Sequence, residues 1–174
     1  MIQIAIFAVI SVGLVAFSWN SLRSGRQHAF PRLFVFEALL ALVLLNAATW
    51  FKDPFSPRQL VSWLLLAVSI GLALHGFYLL RRIGRPSGDL ENTTTLVRQG
   101  IYRYIRHPLY SSLLWLAWGA FLKDVSALAL LLALAASAAL VATARVEEAE
   151  NLAKFGEGYR GYMRTTRMFV PFLF

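Results

Sequence analysis

Apolar positions come in long uncharged blocks along this chain. Residues 2–19, 59–80 and 125–144 carry no formal charge, and 33–51 carries only Glu37, near its start. A fifth uncharged block, 109–122, has 14 residues. A bilayer core about 30 Å thick takes roughly 20 apolar residues in a helix. The blocks therefore predict five helices, at about 2–19, 33–51, 59–80, 109–122 and 125–144. Only Lys123-Asp124 separates the last two uncharged blocks, which predicts a tight helical hairpin. At about 1.5 Å per residue, 109–122 reaches only about 21 Å. It spans obliquely with help from its flanks or enters the bilayer partway.

Composition agrees. With 58% of its 174 residues hydrophobic and 15% charged, the chain has more apolar surface than a soluble domain of this size can bury. The predicted class is an all-α integral membrane protein. Alternating the helices places 20–32, 81–108 and 145–174 on one side and 52–58 and 123–124 on the other. Fourteen arginines and lysines fall in the first set and three in the second. The positive-inside rule then predicts an outside amino terminus, with the carboxyl terminus and the two large polar segments in the cytoplasm. The net charge of +8 reports topology here and does not point to nucleic acid. No basic residue precedes the first block, and "FSWNS" is a poor cleavage site, so that block is expected to stay as a helix and not act as a removable signal. With no cysteine, disulfides and thiolate chemistry are excluded. The expected organisation is one domain made of a three-helix region, 1–80, and a functional region, 81–174.

The connecting segments carry the polar chemistry. "GRPSGDLENTTT" (84–95) is rich in turn formers and reads as a loop. The tail reads as a helix leaving the fifth block, breaking near Gly156-Glu157-Gly158, then continuing past Tyr159 and Tyr162. "MFVPFLF" is apolar enough to fold back on the membrane surface. His75 and Glu37 lie inside predicted spans at similar depth, where ionisable groups tend to face a cavity or each other. A His75–Glu37 pair is possible; snorkelling or burial between helices explains them equally well. With His28 distant, these residues make no metal site, and no glycine-rich phosphate loop is present.

Two clusters stand out. In "GIYRYIRHPLYSS" (100–112), Pro108 stands where a helix begins, a position suited to a residue without an N–H, and free amides there can bind an anion. Arg103 and Arg106 flank the site, and Tyr102, Tyr104 and Tyr110 add rings. The stretch reads either as an interfacial aromatic and basic belt or as half of a binding site. The second cluster is Glu147-Glu148, just past the fifth block and after Arg145. It reads either as a solvated helix segment or as a carboxylate placed to accept hydrogen bonds from a ligand ammonium group.

Taken together, Gly100-Ile101-Tyr102, Arg106-His107-Pro108-Leu109-Tyr110, an apolar hairpin, Glu147-Glu148, Phe155-Gly156, Tyr159, Tyr162 and Val170-Pro171 resemble the isoprenylcysteine carboxyl methyltransferases. They are similar, less closely, to the phospholipid N-methyltransferases. The resemblance covers 90–174, about half the chain. It implies S-adenosylmethionine as cofactor, bound on the cytoplasmic side, and a lipophilic acceptor arriving from the lipid, without nucleic acid or metal. A compact chain of this kind implies a prokaryotic inner membrane. Carried over by position, Thr94, Thr95, Leu96 and Val97 match the family's cofactor-lining strip. Tyr102, His107, Pro108, Leu109 and Tyr110 match its G-x-Y and H-P-x-Y elements. Glu147, with Glu148 beside it, matches the carboxylate that meets the cofactor's amino group. The chain departs from the family at the substrate-facing arginines. Thr143 stands where one is expected, leaving Arg145 two residues out of register, and Met168 precedes Phe169-Val170-Pro171, leaving Arg167 one place early.

Overall fold

A computed structural model describes residues 2–23, 29–86 and 93–173 (for Asn20, the backbone only). The helices are α1 (Ile2–Arg23), α2 (Ala29–Leu45), α3 (Pro57–Leu79), α4 (Pro108–Phe121), α5 (Ala127–Phe155) and α6 (Glu157–Thr165). No strand occurs among the described residues, and the protein is an all-α membrane protein. Three helices are long and apolar enough to cross a bilayer: α1, α3 with the π-helical turn Leu80–Gly84 that extends it, and α5. At 17 and 14 residues, α2 and α4 are shorter and pack between them.

Helix limits differ from the apolar blocks where a side chain or the helix propensity decides. The second helix stops at Leu45, short of the predicted 51, because Asn46 turns away. Its side-chain amide donates to the carbonyls of Ala120 at 2.8 Å and Asp124 at 3.2 Å. α5 begins where Ser126 caps it, its hydroxyl accepting from the Ala129 amide at 3.2 Å. It runs on well past Ala144, because "RVEEAENLAK" is made largely of strong helix formers. The break expected near Gly156 falls there, at a glycine with φ +56°.

Small residues set the closest helix contact. On α3, Ser62, Ser69 and Gly76 recur every seventh residue and are buried. Antiparallel to them, Ser62 donates to the carbonyl of Gly119 and Ser69 to that of Ser112, both at 2.7 Å, while Gly76 lies against Pro108 and Leu109. Small side chains let two backbones approach and let hydroxyls reach across them, which is how helices associate where the solvent is itself apolar. On the other side, Ala129, Ala133, Ala136, Leu140 and Ala144 of α5 form a stripe against Val35, Ala38, Leu39 and Leu42 of α2, in the main core. At the end remote from the arginines, Lys123 is fully buried. Its ammonium donates to Gln59 at 3.0 Å and sits 3.1 Å over the Trp63 ring.

Of the alternatives open for the two intramembrane groups, Glu37 takes Ser11 of α1 as partner, accepting at 2.5 Å, and His75, on α3, lies beside Gly100. One expectation changes: the end of the chain does not all lie back on the surface. Phe169 is 1% exposed and belongs to the main core, because residues 167–169 are hydrogen-bonded under the start of α4. Phe172 and Leu173 remain outside, each 81% exposed. His28 lies outside the described residues, as do residues 87–92 of the 84–95 loop.

Candidate active site

The tail and the segment before α4 pair as two short extended stretches. Ile105 and Arg167 form a parallel bridge. The amides of Arg106 and His107 donate to the carbonyls of Arg167 and Met168 at 2.8 and 3.2 Å, and the Arg167 amide donates to Tyr104 at 3.0 Å. The Ser111 hydroxyl adds a bond to the Phe169 carbonyl at 2.7 Å. The amides of residues 106 and 107, just before the helix start, are thus spent on the tail. In return, the side chains of Arg106 and His107 are held against α5.

Between these elements lies a partly open hollow. Of the residues singled out from the sequence, Leu96, Val97, Tyr102, His107, Leu109, Tyr110 and Glu147 line it. Glu148 stands behind, 7% exposed. Thr94 and Thr95 are placed beside it with their amides donating to the Gly84 carbonyl at 2.9 and 3.2 Å. Pro108 is turned to Gly76 of α3. Arg145 and Arg167 are both exposed and outside the lining.

The chemistry is concentrated in one cluster. The buried His107 ring presents Nδ1 to Glu147 at 3.7 Å and Nε2 to Glu148 at 3.3 Å. It stacks on Tyr110, with centroids 5.5 Å apart and an interplanar angle of 18°. Arg106 Nε donates to Glu148 at 2.6 Å, and its Nη1 donates to the carbonyls of Thr166 at 2.6 Å and Met163 at 3.3 Å. One guanidinium thereby joins α5 to the end of α6. A charge-assisted bond in so sheltered a place is among the stronger single contacts a chain can make.

Arg106, Phe155, Tyr159 and Tyr162, also named in the sequence pattern, line the hollow too, and the lining residues outside that pattern are Leu80, Thr93 and Asn151. For Asn151 the signal was its place one turn past Glu147 on the helix that leaves the fifth block. Tyr162 donates to the Tyr102 carbonyl at 2.6 Å. The Arg98 guanidinium lies 5.7 Å from the Tyr162 ring and also donates to the Gly158 carbonyl, tying α6 down. Burial pushes the hydroxyls of Tyr102, Tyr159 and Tyr162 well above the ordinary phenol range; for Tyr102 the Glu147 charge adds to the effect, and for Tyr159 the charges of Glu148 and Glu147 do. They act as neutral hydrogen-bonding groups at any physiological pH.

Gly100 places Tyr102. It opens the tight turn Gly100–Arg103 with φ +58°, and a Cβ on it meets His75 Nε2 and Leu79 Cδ1 at 2.7 Å. Gly100→Ala is expected to cost about 1–3 kcal/mol from the strained φ and the overlap, read as a lower unfolding midpoint in detergent. Gly161→Ala, where nothing lies within 4 Å, serves as the control and is expected to be neutral or slightly stabilising. Equal midpoints for the two variants refute the role given to Gly100.

The fold and the hollow define a helical membrane protein with a partly charged hollow at the arginine-rich end of its bundle. The sequence profile of the phospholipid methyltransferase family matches residues 57–157, more than half of the chain. The protein belongs to that family, membrane methyltransferases that act on lipid-like substrates. The matched stretch contains α3, the Gly100–Tyr110 segment, α4 and all of α5. No curated protein and no solved structure matches the chain.

Proposed function

We propose that the protein transfers a methyl group from S-adenosylmethionine to a lipophilic acceptor that reaches the hollow sideways from the bilayer. The observation that carries this reading is the meeting of Tyr102, His107 and Glu147 on one wall, although the α4–α5 hairpin separates them in sequence. The residues fit the donor. Glu147 suits an ammonium group, and the tyrosine faces suit a flat base or a sulfonium, at about 0.5–2 kcal/mol per cation–π contact. Leu80, Leu96, Val97, Leu109 and Phe155 supply the apolar remainder of the wall.

When bound, S-adenosylmethionine supplies a methyl group made electrophilic by its sulfonium. The chain's own part is to fix geometry and keep water out, the main sources of rate in a displacement of this kind. The first acceptor we assign is a carboxylate of an isoprenoid or other lipid-like molecule, on the motif resemblance. A carboxylate oxygen is already a nucleophile, so no residue has to take up a proton. The second reading, N-methylation of an aminolipid such as phosphatidylethanolamine, is favoured by the family match. An ammonium acceptor must first lose a proton, so this reading needs a proton acceptor that the carboxylate reading does not.

Incubating the purified protein with donor labelled in the methyl group and a total lipid extract tests the reading. Label released by mild base identifies an ester; base-stable label on a headgroup nitrogen identifies the amine reaction. Absence of label from the lipid fraction overturns the proposal.

A further inference from the structure

A second, more open hollow lies across Arg106 from the first, and Arg167, Leu173, Met163 and Thr166 contribute to its lining. Its surroundings differ from those of the first. Arg167 is exposed, as are Arg164, three residues earlier in α6, and Arg103, two residues before the Ile105–Arg167 bridge. None of these three makes an ion pair among the described residues, and no carboxylate lines the hollow. Beside them, Leu173 and Phe172 are each 81% exposed, and the Phe172 ring meets the half-exposed Tyr104 edge-on at 6.2 Å. Aromatic and aliphatic side chains standing clear of the fold next to exposed arginines have the composition of a bilayer interface.

We propose that this second hollow seats an anionic phospholipid, with its phosphate held by Arg167 and Arg164 and an acyl chain laid along Leu173 and Phe172. Charge complementarity selects the occupant. The Arg106 guanidinium on the inner wall is already engaged by Glu148 and two carbonyls, which leaves the outer arginines to attract a headgroup with net negative charge over a zwitterionic one. Because α6 and the tail also carry Tyr159 and Tyr162 of the first hollow, a lipid seated here steadies that wall as well. The seat itself does not depend on which ligand the first hollow takes.

The test is native mass spectrometry of the full-length protein released from detergent. Phosphatidylglycerol and phosphatidylcholine of identical acyl chains are added separately. The wild type is expected to retain phosphatidylglycerol preferentially. Each arginine near an anionic surface contributes a factor of about five, so the Arg164→Gln/Arg167→Gln variant should bind it roughly 25-fold more weakly. The Lys52→Gln/Arg58→Gln variant, altered at the opposite end, should bind it as the wild type does. Both arginines are exposed, so the unfolding midpoint of the first variant should stay at the wild-type value. Equal retention of the two lipids by the wild type, or undiminished phosphatidylglycerol retention by the Arg164/Arg167 variant, overturns the proposal. Lipid retention is read without a methyl donor, so it is independent of the outcome of the transfer assay.

Discussion

Arg106→Met is expected to destabilise the protein by about 3–5 kcal/mol, the usual result of removing one partner from a sheltered ion pair. Both side chains of the Arg106–Glu148 pair are 9% exposed, so water cannot take over the role of the guanidinium. Three bonds go at once, one to Glu148 and two to the carbonyls of Met163 and Thr166. The loss should appear as a lower unfolding midpoint in detergent and as faster proteolysis within 163–173. Glu148→Gln added to Arg106→Met removes the stranded charge, and the double variant should be more stable than Arg106→Met alone. A double variant less stable than either single one contradicts this account of the pair.

Glu147→Gln is expected to act on ligand binding instead. Glu147 lies on the wall of the hollow with its side chain 18% exposed, and its helix backbone needs nothing from its charge. Losing one charge-assisted hydrogen bond to the donor's ammonium costs about 1.5–3 kcal/mol, roughly a 10- to 150-fold weaker affinity for S-adenosylmethionine. Calorimetry on the detergent-purified protein measures it directly. The adjacent Glu148→Gln should reverse the pattern, with stability reduced more than affinity, since Glu148 faces Arg106. An unchanged affinity for Glu147→Gln removes Glu147 from the proposed site.

These two neighbours show how much of the site was legible in the chain. The pair Glu147-Glu148 is visible as two acids past an apolar block, but nothing local distinguishes them. Their roles diverge because successive helix positions point about 100° apart, so one reaches the hollow and the other reaches Arg106. Arg106 shows the same limit. As one of two arginines flanking the start of α4 it was noticed, yet its three partners lie 42 to 60 positions further along. The tail was misjudged for a related reason. "MFVPFLF" has the composition of a surface anchor, and Phe172 and Leu173 stand exposed, but Phe169 is drawn into the core by the hydrogen bonds that residues 167–169 make beneath α4.

Whatever depends on runs and short spacings was set by the sequence alone. Long uncharged blocks can satisfy their backbone groups in lipid only as helices, so the all-α membrane class and the approximate helices follow. So does the break at Gly156. Whatever depends on two distant segments sharing one place was decided by the tertiary structure: the α3–α4 contact through small residues, the Arg106–Glu148 pair, and the convergence of Tyr102, His107 and Glu147. The physical reason is that hydrophobic burial is non-directional. It drives helices together, but which side chains then meet is settled by the few polar groups and tight contacts that admit only one arrangement.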